Sequence, residues 1–116
     1  MVTMRKYIYC TFTAEKLHKW DGAKDVEAVS YLANLHRHLF HFKVAVSVVD
    51  DDREIEFIML KHELKEVVYR WGEIVGSCEM MANDLYVYLS AAYPNRSYII
   101  EVSEDGENGA ILESKL

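Results

Sequence analysis

The apolar residues of this chain follow two different periods, and the first of them predicts β-strands. Residues 38–49 alternate between apolar and polar side chains, which is typical of a strand with one buried face. Residues 4–14 are rich in Tyr, Ile, Thr and Phe and predict an earlier strand. Between them, residues 17–35 show no sustained period, so we expect either irregular structure or a short helix around 26–33.

The period lengthens in the second half of the chain, where two helices are predicted. In residues 60–71 the apolar side chains recur every three or four positions, as on one face of an α-helix. Ser77 is a typical N-cap for a second helix, with Glu79 in its first turn. An apolar stripe that includes Met81 and Leu85 continues this helix until Pro94 ends it.

Short strands and turns complete the predicted order of elements. The acidic run 50–52 predicts a turn before a short returning strand at 54–58, and residues 97–102 and 110–113 predict a final hairpin. This order indicates an α+β fold, namely a four-stranded antiparallel sheet with two helices on one face. Two helices leave sheet edges uncovered, so we expect copies of the chain to associate.

Composition and charge narrow the class of protein. The chain has 116 residues, of which 51% are hydrophobic and 28% charged, and no Pro- or Gly-rich linker divides it, so we expect one domain over 1–116. The net charge of −6 argues against nucleic acid and anionic membranes as partners. No signal peptide or membrane-spanning run is visible, and there are only two cysteines, so we expect a soluble cytoplasmic domain.

Histidines give the first indication of chemistry. His36 and His38 open the second predicted strand at i and i+2, which places both imidazoles on one side, as two ligands of one Zn²⁺ would be. His18 is the best third ligand, since it shares the face of the first strand's apolar residues if that strand continues. His41 falls on the opposite face. The alternative interpretation is that the pair consists of half-buried histidines at a strand end.

Two further segments could contact a ligand. Glu104 follows an apolar strand, where its carboxylate could point into a pocket and accept hydrogen bonds, whereas Asp105 and Glu107 are interpreted as a solvated turn. Ser77 and Cys78 begin the second helix, whose free backbone N–H groups could bind a ligand acceptor. An ordinary N-cap beside a buried cysteine is the alternative, and a nucleophilic Cys78 would need a lowered pKa.

Taken together, these segments resemble the 6-pyruvoyl-tetrahydropterin and 6-carboxy-tetrahydropterin synthases, a family with the tunnelling fold. That family has an F-x-A-A-H segment after its first strand, an H-G-H segment, a T-x-E-N-like helix start and a late V-x-E-T-like segment. The similar stretches here are Phe12-Thr13-Ala14-Glu15-Lys16, His36-Arg37-His38, Ser77-Cys78-Glu79-Met80 and Val102-Ser103-Glu104-Asp105.

The resemblance implies a role for several residues. Three histidines bind zinc in the family; His36 and His38 match two of them, and the third position falls on Lys16, with His18 two residues later as its substitute. The family's glutamate that anchors the amino-pyrimidine edge of the pterin corresponds to Glu104. The residues that help to hold the pterin at the second helix correspond to Ser77 and Cys78. The resemblance also implies trimers that stack into a homo-hexamer.

The chain departs from the family where the proton-transfer groups are expected. Leu32 occupies the position of the catalytic Cys, and residues 70–73 form a short connection that lacks the family's Asp-His pair. His62 lies inside the first predicted helix, so that role is not transferred to it. The catalytic residues are therefore left unassigned, because the usual general acid and base groups are missing.

Two functions of different classes follow from this pattern. The first is a divergent pterin synthase-like lyase that acts at a zinc site on a dihydroneopterin-triphosphate-like pterin. The second is a non-catalytic oligomer that binds a pterin, purine or nucleotide. A purely structural module on the same scaffold is a third possibility, because one fold hosts several functions.

Overall fold

The computed structural model describes residues 1–116 and has the α+β architecture predicted from the sequence. A four-stranded antiparallel sheet has the order β1-β2-β3-β4. The strands are β1 (Lys6–His18), β2 (His36–Val48), β3 (Tyr98–Glu104) and β4 (Asn108–Ser114), and the α-helices are α1 (Phe57–Arg70) and α2 (Cys78–Ala92). Two 3₁₀ helices, Asp21–Asp25 and Glu27–Ala33, occupy the connection between β1 and β2.

The core is built on the even-numbered face of the sheet. The strand register pairs even positions with even positions, so that Phe12 faces Phe42 and Val44 faces Ile100. The rings of Phe12 and Phe42 stack with their centroids 4.9 Å apart. Both helices contribute buried side chains to the same cluster, namely Leu60, Leu64, Val68, Met81, Leu85 and Leu89. The alternation in β2 therefore marks the buried face correctly.

The predicted short strand at 54–58 is wrong, because α1 begins inside it. The Glu56 carboxylate accepts hydrogen bonds from the backbone N–H groups of Ile58 and Met59 at 3.1 Å, and it thereby caps the helix. The Glu54 side chain stabilises the preceding turn, because its Oε1 accepts a hydrogen bond from the N–H of Asp50 at 2.8 Å. Backbone hydrogen bonds and Arg96 lower the pKa of Glu54 to about 2.

The second helix begins where the sequence predicts it. The Ser77 hydroxyl accepts a hydrogen bond from the N–H of Met80 at 3.1 Å, as an N-cap residue does. The short helix expected around 26–33 is present as the 3₁₀ helix Glu27–Ala33. The side-chain cap at Ser77 thus marks the start of α2, whereas the 3₁₀ helix has no side-chain cap.

The first strand is longer than predicted at the end where the histidines lie. β1 runs on to His18 instead of ending at residue 14, whereas β2 begins at His36, where the sequence predicts its opening. The outer edge of β1 is held there by Leu17, whose N–H donates to the carbonyl of Glu73 at 2.8 Å and whose carbonyl accepts from Val75 at 2.9 Å. This pairing keeps β1 extended past residue 14.

The remaining outer edges of β1 and β4 have no strand partner within the chain. Neither α-helix combines the length and apolarity that a membrane crossing requires. The pairing of these edges with edges of other copies stays a prediction.

Candidate metal and ligand-binding site

Three histidines and a glutamate meet at one end of the sheet. His18 and His36 are direct partners across β1 and β2, and His38 follows two residues later on the same face. Glu104 ends β3 opposite Phe40 of β2. One ligand atom from each of the four residues lies within 4.8 Å of the others, so this cluster could hold a metal ion.

The imidazole nitrogens of this cluster lie close together without forming hydrogen bonds to one another. The Nε2 atoms of His36 and His38 are buried and have no hydrogen-bond partner. Glu104 Oε2 lies 2.9 Å from Nε2 of His38 and 3.3 Å from Nε2 of His18. The distance from Glu104 Oε2 to Nε2 of His38 is that of a hydrogen bond, but the angles are not, and Nε2 of His38 is therefore left without a partner. Buried polar atoms without partners are costly, and a cation between them would remove that cost.

The opposite nitrogen of each ring is held from outside the cluster. Nδ1 of His18 lies 3.1 Å from the carbonyl of Gly76, and Nδ1 of His36 lies 2.7 Å from the carbonyl of Asn34. A carbonyl can only accept, so in both rings Nδ1 carries a proton, and Nε2 is the nitrogen that faces the cluster. Metal-ligating histidines are typically oriented by outer acceptors in this way.

Asp105 is an exposed turn residue, as expected, and it also orients the third ring, which the sequence did not indicate. Its Oδ2 lies 2.7 Å from Nδ1 of His38, and its Oδ1 accepts from the N–H of Leu39 at 3.0 Å. These hydrogen bonds, with that to His38 the largest cause, lower the pKa of Asp105. Glu107, by contrast, is exposed in the turn as expected.

Replacing Asp105 with asparagine is expected to weaken metal binding by about 10–100-fold, the usual effect of losing an outer partner of a ligating histidine. An asparagine amide cannot accept at both of its terminal atoms, so either His38 or Leu39 loses its partner. Titration of zinc against a competing chelator measures the change. Glu107→Gln removes the same charge from the same turn as a control, and equal affinities for the two variants would contradict the role given to Asp105.

A cavity of about 390 Å³ adjoins the cluster and brings the predicted ligand-binding residues together. Its wall contains Glu104, Ser77 and Cys78 beside His18 and His36. The same wall includes residues that were not predicted to contact a ligand, namely Trp20, Lys19, Glu79, Met80 and Asn108. These residues come from three separate segments, so only the folded chain identifies them.

The start of α2 presents free donors to this cavity. The backbone N–H groups of Cys78 and Glu79, which are the first of the helix, make no hydrogen bond within the chain. The Ser77 hydroxyl is used as the helix cap, so its side chain contributes less to a ligand than its neighbours' backbone does. The donors suit a ligand acceptor atom placed at the positive end of the helix.

Cys78 is a buried thiol at this site. Desolvation, together with the nearby carboxylates of Glu104 and Glu79, raises its pKa to about 11. A nucleophilic cysteine needs the opposite shift, so the geometry favours the interpretation of Cys78 as a residue that lines the cavity.

Lys16, at the family's third histidine position, has a structural role. Its side chain is 7% exposed, and Nζ donates to the carbonyls of Val68 at 2.9 Å and Gly72 at 2.6 Å. The amine therefore caps the C-terminal end of α1. Burial lowers the pKa of Lys16. His18, one pleat further along the same face, supplies the third imidazole instead.

The connection between the two helices positions His18, a role that the sequence did not indicate. It hydrogen-bonds to both backbone groups of Leu17, and the carbonyl of Gly76 binds Nδ1 of His18. Residues 72–76 thus hold His18 in place.

The other residues considered from the sequence lie outside the cluster. His41 is on the opposite, odd-numbered face, where it lines a separate cleft of about 570 Å³ together with Lys43. His62 is exposed on α1. Leu32, where the resemblance expects a catalytic cysteine, puts an apolar side chain into the cavity wall.

Comparison with known proteins assigns the chain to no family, since no family model matches it and no curated protein does. The fold and the site therefore define it only as an α+β domain with a His/Glu cluster that could hold a metal ion beside a cavity.

Proposed function

We propose that this chain is a divergent relative of the 6-pyruvoyl-tetrahydropterin and 6-carboxy-tetrahydropterin synthases that acts at a zinc site on a dihydroneopterin-triphosphate-like pterin. One observation carries the proposal. The Nε2 atoms of His36 and His38 are buried, unpartnered and directed with His18 at one point beside a cavity.

Zinc is the metal that suits this donor set. Imidazole nitrogens are typical zinc ligands, whereas calcium and magnesium prefer all-oxygen sites. His18, His36 and His38 would hold the ion, with each ring oriented by its outer acceptor. A bound zinc ion supplies a Lewis acid for an oxygen of the ligand.

The cavity suits a flat heterocycle with donors on one edge and acceptors on another. Its volume of about 390 Å³ is typical of small-molecule sites. The free N–H groups at the start of α2 match a ring carbonyl or nitrogen, and the Glu104 carboxylate matches an amino-pyrimidine edge. Trp20 and Leu32 provide apolar surface for the ring faces.

The second candidate function is a non-catalytic oligomer that binds a pterin, purine or nucleotide. Two observations favour it over turnover, namely the apolar Leu32 in the cavity wall and the raised pKa of Cys78. Neither residue can exchange protons with a substrate near neutral pH. Both candidate functions include a homo-hexamer and a cytoplasmic location. The unpaired edges of β1 and β4 support the homo-hexamer.

The test combines turnover and binding on zinc-loaded protein. Dihydroneopterin triphosphate is added, its absorbance is followed for turnover, and calorimetry measures binding of the same compound and of a purine nucleotide. Turnover supports the synthase, and pterin binding without turnover supports the second candidate. Glu104→Ala is expected to lower pterin affinity at least about tenfold through loss of charge-assisted hydrogen bonds, and Glu107→Ala is the matched control. Unchanged pterin affinity in Glu104→Ala would contradict the assigned anchor.

A further inference from the structure

We propose that Glu104 is a fourth protein ligand of the metal. The metal then has no open coordination position until a bound ligand hydrogen-bonds the Glu104 carboxylate and draws it away. The proposal rests on the metal site of the proposed function and deepens it. In the family that the chain resembles, the corresponding glutamate holds the pterin, so a ligating role would be a property of this chain.

The hairpin fixes the backbone of Glu104 beside the histidines. The residue pairs with Phe40 on one side and with Asn108 on the other, and its carbonyl accepts from the N–H of Glu107 at 2.9 Å. The next residue, Asp105, donates its N–H to the carbonyl of Leu39 at 2.8 Å. The carboxylate therefore reaches the cluster from a rigid strand end.

Hydrogen bonding within the chain does not explain where this carboxylate lies. Glu104 is 30% exposed, yet its side chain accepts no hydrogen bond from any residue, and it approaches two imidazole nitrogens at 2.9 and 3.3 Å. Nε2 of His18 therefore faces the carboxylate oxygen across 3.3 Å without a hydrogen bond between them. A metal ion bound between this nitrogen and this oxygen would use both as ligands.

The number of ligand atoms agrees with this assignment. Three imidazole nitrogens and one carboxylate oxygen lie within 4.8 Å of one another, which gives the four ligands of a closed zinc site. A zinc site that binds substrate directly usually keeps one position open with three protein ligands.

Glu104 also lines the cavity, so a bound ligand and the metal compete for one carboxylate. A ligand that hydrogen-bonds this carboxylate would draw it from the metal and open the fourth position. By linkage, the metal and such a ligand then weaken each other's binding unless the ligand itself replaces the carboxylate. The site would thus open only in the presence of the correct heterocycle.

The test uses Co²⁺-loaded protein, because the visible spectrum of cobalt responds to its ligands, and azide as a small competing ligand. In the wild type, azide is expected to leave the spectrum unchanged. In Glu104→Ala, cobalt affinity is expected to fall at least about tenfold, and azide is expected to shift the spectrum. Glu107→Ala should behave as the wild type. If Glu104→Ala does not fold, the isosteric Glu104→Gln replaces it, with a shifted spectrum and weaker cobalt binding expected.

The outcomes separate this proposal from the metal site itself. Equal azide effects in wild type and Glu104→Ala, or identical cobalt spectra without azide, would overturn the ligand role of Glu104 and leave the three-histidine site intact. A wild type that binds neither cobalt nor zinc would overturn the metal site and this proposal together.

Discussion

Zinc content is expected to fall from about one ion per chain to none when His36 and His38 are both replaced by alanine. The double substitution removes two of the clustered nitrogen ligands, both of which are buried and unpartnered in the chain alone. Loss of an outer partner of a ligating histidine costs about 10–100-fold in affinity, so loss of two ligands should cost more than about 100-fold. Elemental analysis of untagged protein measures the content directly.

His41→Ala/His62→Ala is the matched control for this experiment. It also removes two imidazoles, but both lie outside the cluster, on the opposite sheet face and on α1. This variant should keep the wild-type zinc content. A well-folded wild type that holds no zinc even after zinc is supplied would mean that His36 and His38 are structural.

The Phe42→Ala substitution is expected to lower the free energy of unfolding by about 3–5 kcal/mol. Phe42 is 1% exposed, stacks on Phe12 and lies 6.3 Å from Trp71 between ring centroids. Its removal leaves a cavity in the core that the surrounding side chains fill only in part. Urea denaturation of the purified variant measures the change.

Phe57→Ala is the control for the core substitution. Phe57 is 51% exposed at the first residue of α1, so its truncation should change the free energy of unfolding by less than about 1 kcal/mol. Similar losses for the two variants would contradict the assignment of the even-numbered face as the core.

The elements that could be predicted are those whose signal is local. The strict alternation of β2, the helical spacing in α1 and the N-cap at Ser77 each depend on residues within a few positions, and each is confirmed. The strand predicted at 54–58 is wrong for a local reason, since Glu56 caps a helix with its own side chain. The length of β1 depends on Leu17 and a segment more than fifty residues away, which no local pattern reveals.

The site residues also separate into those with a local sequence signal and those whose partners are distant in sequence. The spacing of His36 and His38 predicted that they share one face, because side chains alternate along a strand. His18 could be ranked third but not placed, since its position depends on how far β1 continues. Asp105 and Lys16 could not be assigned, because their partners at His38, Val68 and Gly72 are distant in sequence. The position of Asp105 next to Glu104 at a strand end is the only local signal that points to its role in orienting His38.

The most direct test of the account is X-ray diffraction from crystals of zinc-supplied protein, measured on both sides of the zinc absorption edge. The account predicts an anomalous difference peak between Nε2 of His18, His36 and His38 and Oε2 of Glu104. A peak at another position, or no peak in well-ordered crystals, would contradict the zinc site on which the proposed function depends.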